Sequence, residues 1–289
     1  MPAPKSHETF RVTAWTPGAR LACAALIGLA TANLLELGLR IAADAIDPRD
    51  PGRAPLGLLV RRIFWLAILP WLAARVLRYL FAASAEVTPA ALVLLGRASR
   101  VEVPLPSIAA VEAFRLPLPG PGVALRLRSG RPFDVELSLP DPRPLAMAIS
   151  AAAGLPPGTA DQPALLDAHA RRKVRLLSYP LLILGAVPAI VTFILFRLHQ
   201  LIVYGGLFGE LYLHGLRRWL TTLSGVFFFA EGHLLVLAAA LRVLVELFAL
   251  LAKRFAPQRC AGIRIVLELA AALLYVGGVA AVLALRLLA

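Results

Sequence analysis

The side chains of this chain that could do chemistry are ionisable groups set inside long apolar runs: Glu231, His233, Arg242, Glu246 and Glu268. A charge near the middle of a bilayer is costly unless it is paired or put to use, so these five form a candidate intramembrane polar cluster. Arg242 and Glu246 stand four residues apart and can pair on one helix, as can Glu36 and Arg40. Counted inward from the basic turn between the last two apolar runs, Glu246 and Glu268 lie at similar depth, with Arg242 one turn deeper. That spacing predicts Arg242 between the two carboxylates, tying its helix to the next. Two chemistries fit such a cluster, a structural ion group or a path for protons or ions. Glu231 and His233 project about 200° apart on an ideal helix and cannot serve one site. One of them is expected to face a cavity or another helix.

Other chemistries find less support. Ser224 and His233 are separated by roughly 13 Å of helix, too far for a proton transfer between nucleophile and base. Cys23 and Cys260 are isolated, with no second ligand at metal spacing. Glu210 and His214 share a helical face and, with His199, could meet a metal, but polar residues at a membrane interface are the plainer reading. No metal or cofactor is assigned. The sequence holds no Walker loop, HExxH, GxSxG or dinucleotide fingerprint, so a non-enzymatic protein is expected.

The elements that must position these residues are membrane spans. Of 289 residues, 59% are hydrophobic and 16% charged, and the mean hydropathy is +0.76, outside the range of soluble domains. Five runs reach the length of about 20 residues that a bilayer core requires: 21–39, 63–83, 176–196, 220–251 and 265–285. The first is read as a span rather than a signal peptide, because it exceeds a signal's apolar region and carries Asn33, Glu36 and Arg40. Pro70 and Pro188 should distort their helices without ending them. Residues 197–219, broken by Gly205, Gly206 and Gly209, suit an interfacial or re-entrant segment. The formal charge of +13 does not imply nucleic acid, because the basic residues flank the apolar runs. Arg75 and Arg78, the ARRKVR stretch at 170–175, and Lys253, Arg254, Arg259 and Arg264 fall on one side if the N-terminus is cytoplasmic. The linker 41–57, with Asp44, Asp47 and Asp50 against Arg49 and Arg53, then faces out.

From Glu86 to Gly154 the periodicity changes to two. Val123, Leu125 and Leu127 share one face, as do Phe133, Val135, Leu137 and Leu139, with Ser129-Gly130 as the turn between them. Keeping both apolar faces on one side sets Arg126 and Arg128 opposite or diagonal to Asp134 and Glu136. A helix follows, with Leu145 and Ile149 on one face and Gly154 as its stop. The stretch opens with T-x-x-x-L (Thr88, Leu92) and continues with V-P-L-x-x-I-x-x-V (Val103, Pro104, Leu105, Ile108, Val111). In these features it resembles the bacterial pleckstrin-homology-like domain of membrane-associated proteins. The resemblance covers about a quarter of the chain. It implies a partly open, strongly bent β-barrel closed by one helix, used for docking and assembly, and commonly preceded by two transmembrane helices.

The expected protein is therefore α+β: about five transmembrane helices with an inserted cytoplasmic PH-like split barrel. Residues 1–85 hold two spans, 86–155 the β domain, 156–175 a basic linker, and 176–289 about three spans. The expected function is that of a scaffold or assembly factor of the bacterial inner membrane, with the bilayer and a protein as partners. A homo-oligomer is compatible with the sequence. Transport, channel or lipid handling by the last three spans is the alternative. The loop at Pro117, Pro119, Gly120, Pro121 and Gly122 is the expected docking surface, together with the open edges of the barrel.

Overall fold

The computed structural model describes residues 8–46, 56–97, 99–114, 116–156, 162–173 and 182–288. Asp47, Arg49, Asp50 and Arg53, and residues 174–181 at the start of the third apolar run, lie outside them. In chain order the elements are β1 (Glu8–Trp15), α1 (Pro17–Ile46), α2 (Leu56–Ile63), α3 (Leu69–Leu80), β2 (Ala82–Val87), β3 (Ala91–Leu95), β4 (Arg100–Pro104), β5 (Ile108–Ala113), β6 (Gly122–Leu127), β7 (Glu136–Ser138), α4 (Arg143–Ala152), α5 (Pro163–Lys173), α6 (Val187–Tyr204), α7 (Gly209–Phe255) and α8 (Cys260–Leu288). Five helical segments are long and apolar enough to cross a membrane: Pro17–Asp44, Val60–Leu80, Ile183–Tyr204, Gly209–Phe255 and Pro257–Ala284. The protein is thus membrane-spanning and α+β. It divides into two compact units, one of Met1–Ala32, Pro55–Val174 and Ala249–Ile265, the other of Asn33–Ala54, Arg175–Phe248 and Val266–Ala289.

The first unit is organised by an antiparallel sheet of order β4-β3-β2-β1-β7-β6-β5. Its two edge strands are consecutive in sequence, joined only by the short 3₁₀ turn Leu105–Ser107. A flat sheet of this many strands would be about 29 Å wide, whereas the four Cα steps from Pro104 to Ile108 reach at most about 15 Å. The sheet must therefore curl into a half-barrel. Val103, Leu105, Ile108 and Val111 at that corner are all buried, so the V-P-L run is the hinge of the curl rather than a chemical motif. Thr88 holds the turn into β3, donating to the Ala91 carbonyl at 2.7 Å, and Leu92 enters the core. Helix α4 plugs the curl with Leu145, Ala146 and Ile149. It stops where Gly154 adopts φ +65° and Leu155 N–H reaches Ser150 O at 2.9 Å, a Schellman closure.

The central strand of this sheet is β1, which precedes the first membrane helix and lies outside 86–155. Phe10, Val12 and Ala14 face the barrel core, and the strand pairs with β2 on one side and β7 on the other. Strand leads into helix with Thr16 as the cap, its hydroxyl oxygen accepting from the Ala19 amide at 3.4 Å, and Pro17 in the first turn. The return is as direct, since only Phe81 separates α3 from β2. A membrane hairpin is spliced into the middle of a sheet.

Three further features differ from the sequence expectation. The stretch 156–175 carries α5, whose Leu165 is buried in the barrel core. Within 197–219, α6 runs to Tyr204 and α7 begins at Gly209, with the break held by Gly205 (φ +69°) and a second non-helical residue at Gly215 (φ +78°). In the 123–139 hairpin, Gly130 makes the turn and odd residues oppose odd ones, but β7 shrinks to three residues: Arg126 bridges Pro132 whereas Val123 opposes Leu137, so the register slips by two and 133–135 lie outside the strand. Arg126 meets Glu112 of β5 at 3.5 Å instead of Asp134, and Glu136 is claimed from elsewhere.

In the second unit α6, α7 and α8 share a core that includes Val191, Leu234, Val245, Ala271 and Tyr275. Pro188 follows a π-helical turn, Leu182–Ala186, and Pro70 in the first unit follows another, Phe64–Ile68. One residue of extra winding just ahead of each proline accommodates the hydrogen bond the ring removes. Gly38 of α1 meets α7 so closely that a Cβ there would collide with that of Ala240.

Candidate functional site

The loop 117–122 is where the sheet is fastened to its membrane hairpin. Arg20, one turn into α1, donates through Nε to Leu118 O (3.0 Å), through one Nη to Leu116 O (2.9 Å) and through the other to Glu136 Oε2 (2.7 Å). Its guanidinium also lies 3.7 Å from the centre of the Phe114 ring. Arg78, in the last turn of α3, donates to Pro119 O. The loop is further knitted to β7, since Ser138 donates its hydroxyl to Pro121 O at 3.0 Å. Pro119 and Gly122 are buried, and a Cβ on Gly122 would strike Leu137 O and the Phe114 ring. The loop therefore spends its carbonyls inside the chain. It serves as the receptor for two arginines of the hairpin, a role that its Pro/Gly composition alone did not reveal. Trp15, Cys23, Ala74 and Phe81 fill the space beneath, with the Trp15 and Phe81 rings 5.5 Å apart.

A second clasp lies in the same unit. Asp167 of α5, buried, accepts from Arg264 at 2.6 Å and pairs with Lys253 at 3.0 Å, so α5 is bound to the turn between α7 and α8. Burial pushes the Asp167 carboxyl up, but the hydrogen bond and charge of Arg264, with Lys253, outweigh this and hold it below the ordinary carboxylate range. Next to it Gln162 closes the edge strand β5: its amide donates to Val111 O (2.8 Å) and accepts from Ala113 N–H (2.7 Å), as a neighbouring strand would. The other edge, β4, carries the exposed pair Arg100–Glu102 at 2.6 Å.

In the second unit Arg242 lies between two carboxylates, 2.5 Å from Glu268 on α8 and 2.6 Å from Glu246 on its own helix. Glu268 is fully buried. It stands eight residues into α8, about 12 Å from the helix start. Glu231 and His233 do not join this group. The His233 ring takes up Phe229 O at 2.8 Å on its own helix, whereas Glu231 lies within electrostatic reach of Tyr275 on α8. The Tyr275 hydroxyl and Glu231 Oε2 are buried without a partner among the described residues. Ser224 is committed to Leu220 O at 2.7 Å.

His199, Glu210 and His214 belong to a polar knot at the break between α6 and α7. Glu210 is buried and accepts from Gln200 (2.7 Å) and Thr222 (2.6 Å), with Arg218 at 3.7 Å. His199, Tyr204 and His214 stack edge to face beside it. Among the described residues no three His, Cys, Asp or Glu side chains gather as a metal would need. A groove of about 420 Å³ between α6 and α7 is lined by Ala189, Thr192, Phe193, Leu223, Ser224, Phe227 and Phe228, and none of the five polar residues named from the sequence borders it.

No protein-family model matches the chain, and neither a curated protein nor a solved structure resembles it significantly.

Proposed function

We propose that this chain is a non-enzymatic scaffold or assembly factor of the bacterial inner membrane, whose PH-like sheet presents a fixed docking face to a partner protein. The observation that carries this reading is the absence of slack at the junction. The central strand runs into α1 at Thr16, α3 runs into β2 at Phe81, and Arg20 and Arg78 grip the loop that closes the sheet. A domain so fastened can hold a partner in one orientation to the membrane, which a catalytic domain on a linker does not need. Because β1 and β2 pair and two crossings separate them, the N-terminus and the sheet share one side. The basic flanks at Arg75, Arg78, Lys253, Arg254 and Arg259 support a cytoplasmic placement of that side.

Among the described residues between 82 and 173, Leu116 and Met147 are the large apolar side chains that stand more than half exposed, at 55% and 53%. They are the places to look for a partner. Photo-crosslinkers at Leu116 and Met147 in native membranes should capture one and the same protein, while a crosslinker at lipid-facing Phe228 should not. Failure to capture any protein from either sheet position would defeat the proposal. The alternative, transport or lipid handling, draws on the unpartnered Glu231 and Tyr275 atoms. It would be favoured by a proton or ion flux in proteoliposomes that Glu231→Gln abolishes while the protein stays intact.

A further inference from the structure

Trp71, Arg75 and Tyr79 follow one another at four-residue intervals and so form one ridge of α3. Trp71 and Tyr79 are 50% and 63% exposed. The Arg75 guanidinium sits 5.2 Å from the Trp71 ring centre, and Arg97, from the turn between β3 and β4, lies 3.7 Å over the Tyr79 ring. A helix of the membrane hairpin and a turn of the sheet thus place two aromatic-backed arginines on one stripe. Helix α3 holds no acidic residue, and neither arginine has a carboxylate partner among the described residues.

The span Val60–Leu80 is about 31 Å long, close to the hydrocarbon thickness of about 30 Å. Its end, at Tyr79 and Leu80, therefore falls at the level of the lipid headgroups. Arg75 lies about 7 Å deeper with its guanidinium turned to Trp71, and a side chain of its length can swing from there back up to the interface. Stacking on a ring occupies a guanidinium's face and leaves its N–H edges free, the arrangement that grips phosphate oxygens in pairs. Leu72, Val76 and Leu80 beside the stripe are also exposed, offering apolar surface to acyl chains.

We propose that Arg97, aligned by Tyr79 at the headgroup level, and Arg75, swung up from Trp71, bind the phosphate of an anionic phospholipid in the leaflet that faces the sheet, so that one lipid bridges the membrane hairpin and the sheet. The adjoining apolar surface marks the ligand as a lipid rather than free phosphate. This inference rests on the span and the side chains of α3, not on the identity of any docked protein.

The test uses full-length protein in nanodiscs of phosphatidylcholine with a minor share of phosphatidylglycerol, reading the phosphatidylglycerol retained on the protein by native mass spectrometry. Wild type should retain it selectively. Arg75→Gln and Arg97→Gln should each lower retention about fivefold, and Arg128→Gln, on the exposed sheet hairpin, should not change it. Arg97→Gln is confined to a surface turn and carries the test if Arg75→Gln fails to reach the membrane. Equal retention by wild type and Arg97→Gln would overturn the proposal. So would retention of phosphatidylcholine to the same degree, or inorganic phosphate displacing the lipid at low concentration.

Discussion

Replacing Arg20 with alanine should loosen the sheet from its hairpin. The substitution removes donors from two carbonyls and one carboxylate and uncovers the Phe114 ring. Hydrogen bonds from a charged donor contribute about 1.5–3 kcal/mol each, but three on one side chain are not additive. The Arg20 and Glu136 side chains are 18% and 23% exposed, so solvent screening trims the sum. A loss of about 3 kcal/mol is reasonable, which multiplies the opening equilibrium about 100-fold. Cys23 provides the reporter, because its thiol is buried between α1 and α3 at the junction, facing Ala74 O at 3.7 Å. In a Cys260→Ala background and a lipid nanodisc, the rate of Cys23 alkylation should follow local opening. Arg20→Ala should raise it about 100-fold and Arg20→Lys, which keeps the charge but not the fork, about tenfold. An Arg20→Ala rate within about twofold of wild type would refute the clamp.

Deleting residues 1–16 removes the central strand, so the truncated chain should lose the sheet and become protease-sensitive between 82 and 155. A fragment of 86–155 alone should likewise fail to fold, as judged by its circular dichroism. Glu268→Gln should weaken the pair with Arg242, and Arg242→Met should cost more, about 3–5 kcal/mol, by leaving carboxylates without their cation. Both effects are read as membrane abundance and as thermal aggregation in detergent. Gly38→Leu, forced against Ala240, should cost about 1–3 kcal/mol and lower the same melting temperature. Asp167 is held below its ordinary value of 3.8, so its contribution is full above about pH 4 and is lost as the pH falls through the depressed value. Labelling of Cys260, whose thiol faces Pro163 O on α5 at 3.6 Å, by a dipyridyl disulfide, which stays reactive toward thiols in acid, should then rise more steeply on acidification, relative to the same reaction in denaturant, in wild type than in Asp167→Asn.

What could be read from the sequence is what depends on local spacing. The five spans, the helix that ends at Gly154 and the odd-to-odd parity of the hairpin follow from periodicity and turn chemistry within a few residues. The bridge from Arg242 to Glu268 was readable because two helices joined by a short turn share a common depth scale. The junction was not readable in this way. Arg20 meets acceptors 96 to 116 positions away, and Asp167 meets Arg264 97 positions away, separations at which no spacing rule operates. Strand β1 did leave a trace, the alternation of Phe10, Val12 and Ala14 with Thr9, Arg11 and Thr13. It is short, and the long apolar helix beginning at Pro17 dominates its surroundings. The tip of the hairpin misled for a physical reason: the register slips by two between the Arg126–Pro132 bridge and the Val123–Leu137 pair, and Arg126 meets Glu112 of β5 rather than Asp134.

The central claim is that Arg20 and Arg78 hold the sheet in the one pose a partner recognises. It is tested most directly by photo-crosslinking from Met147 in native membranes, comparing wild type with the Arg20→Ala/Arg78→Ala double variant at matched membrane abundance. The account expects a discrete protein adduct in wild type, reduced at least tenfold in the double variant. An adduct of unchanged yield in the double variant would contradict it.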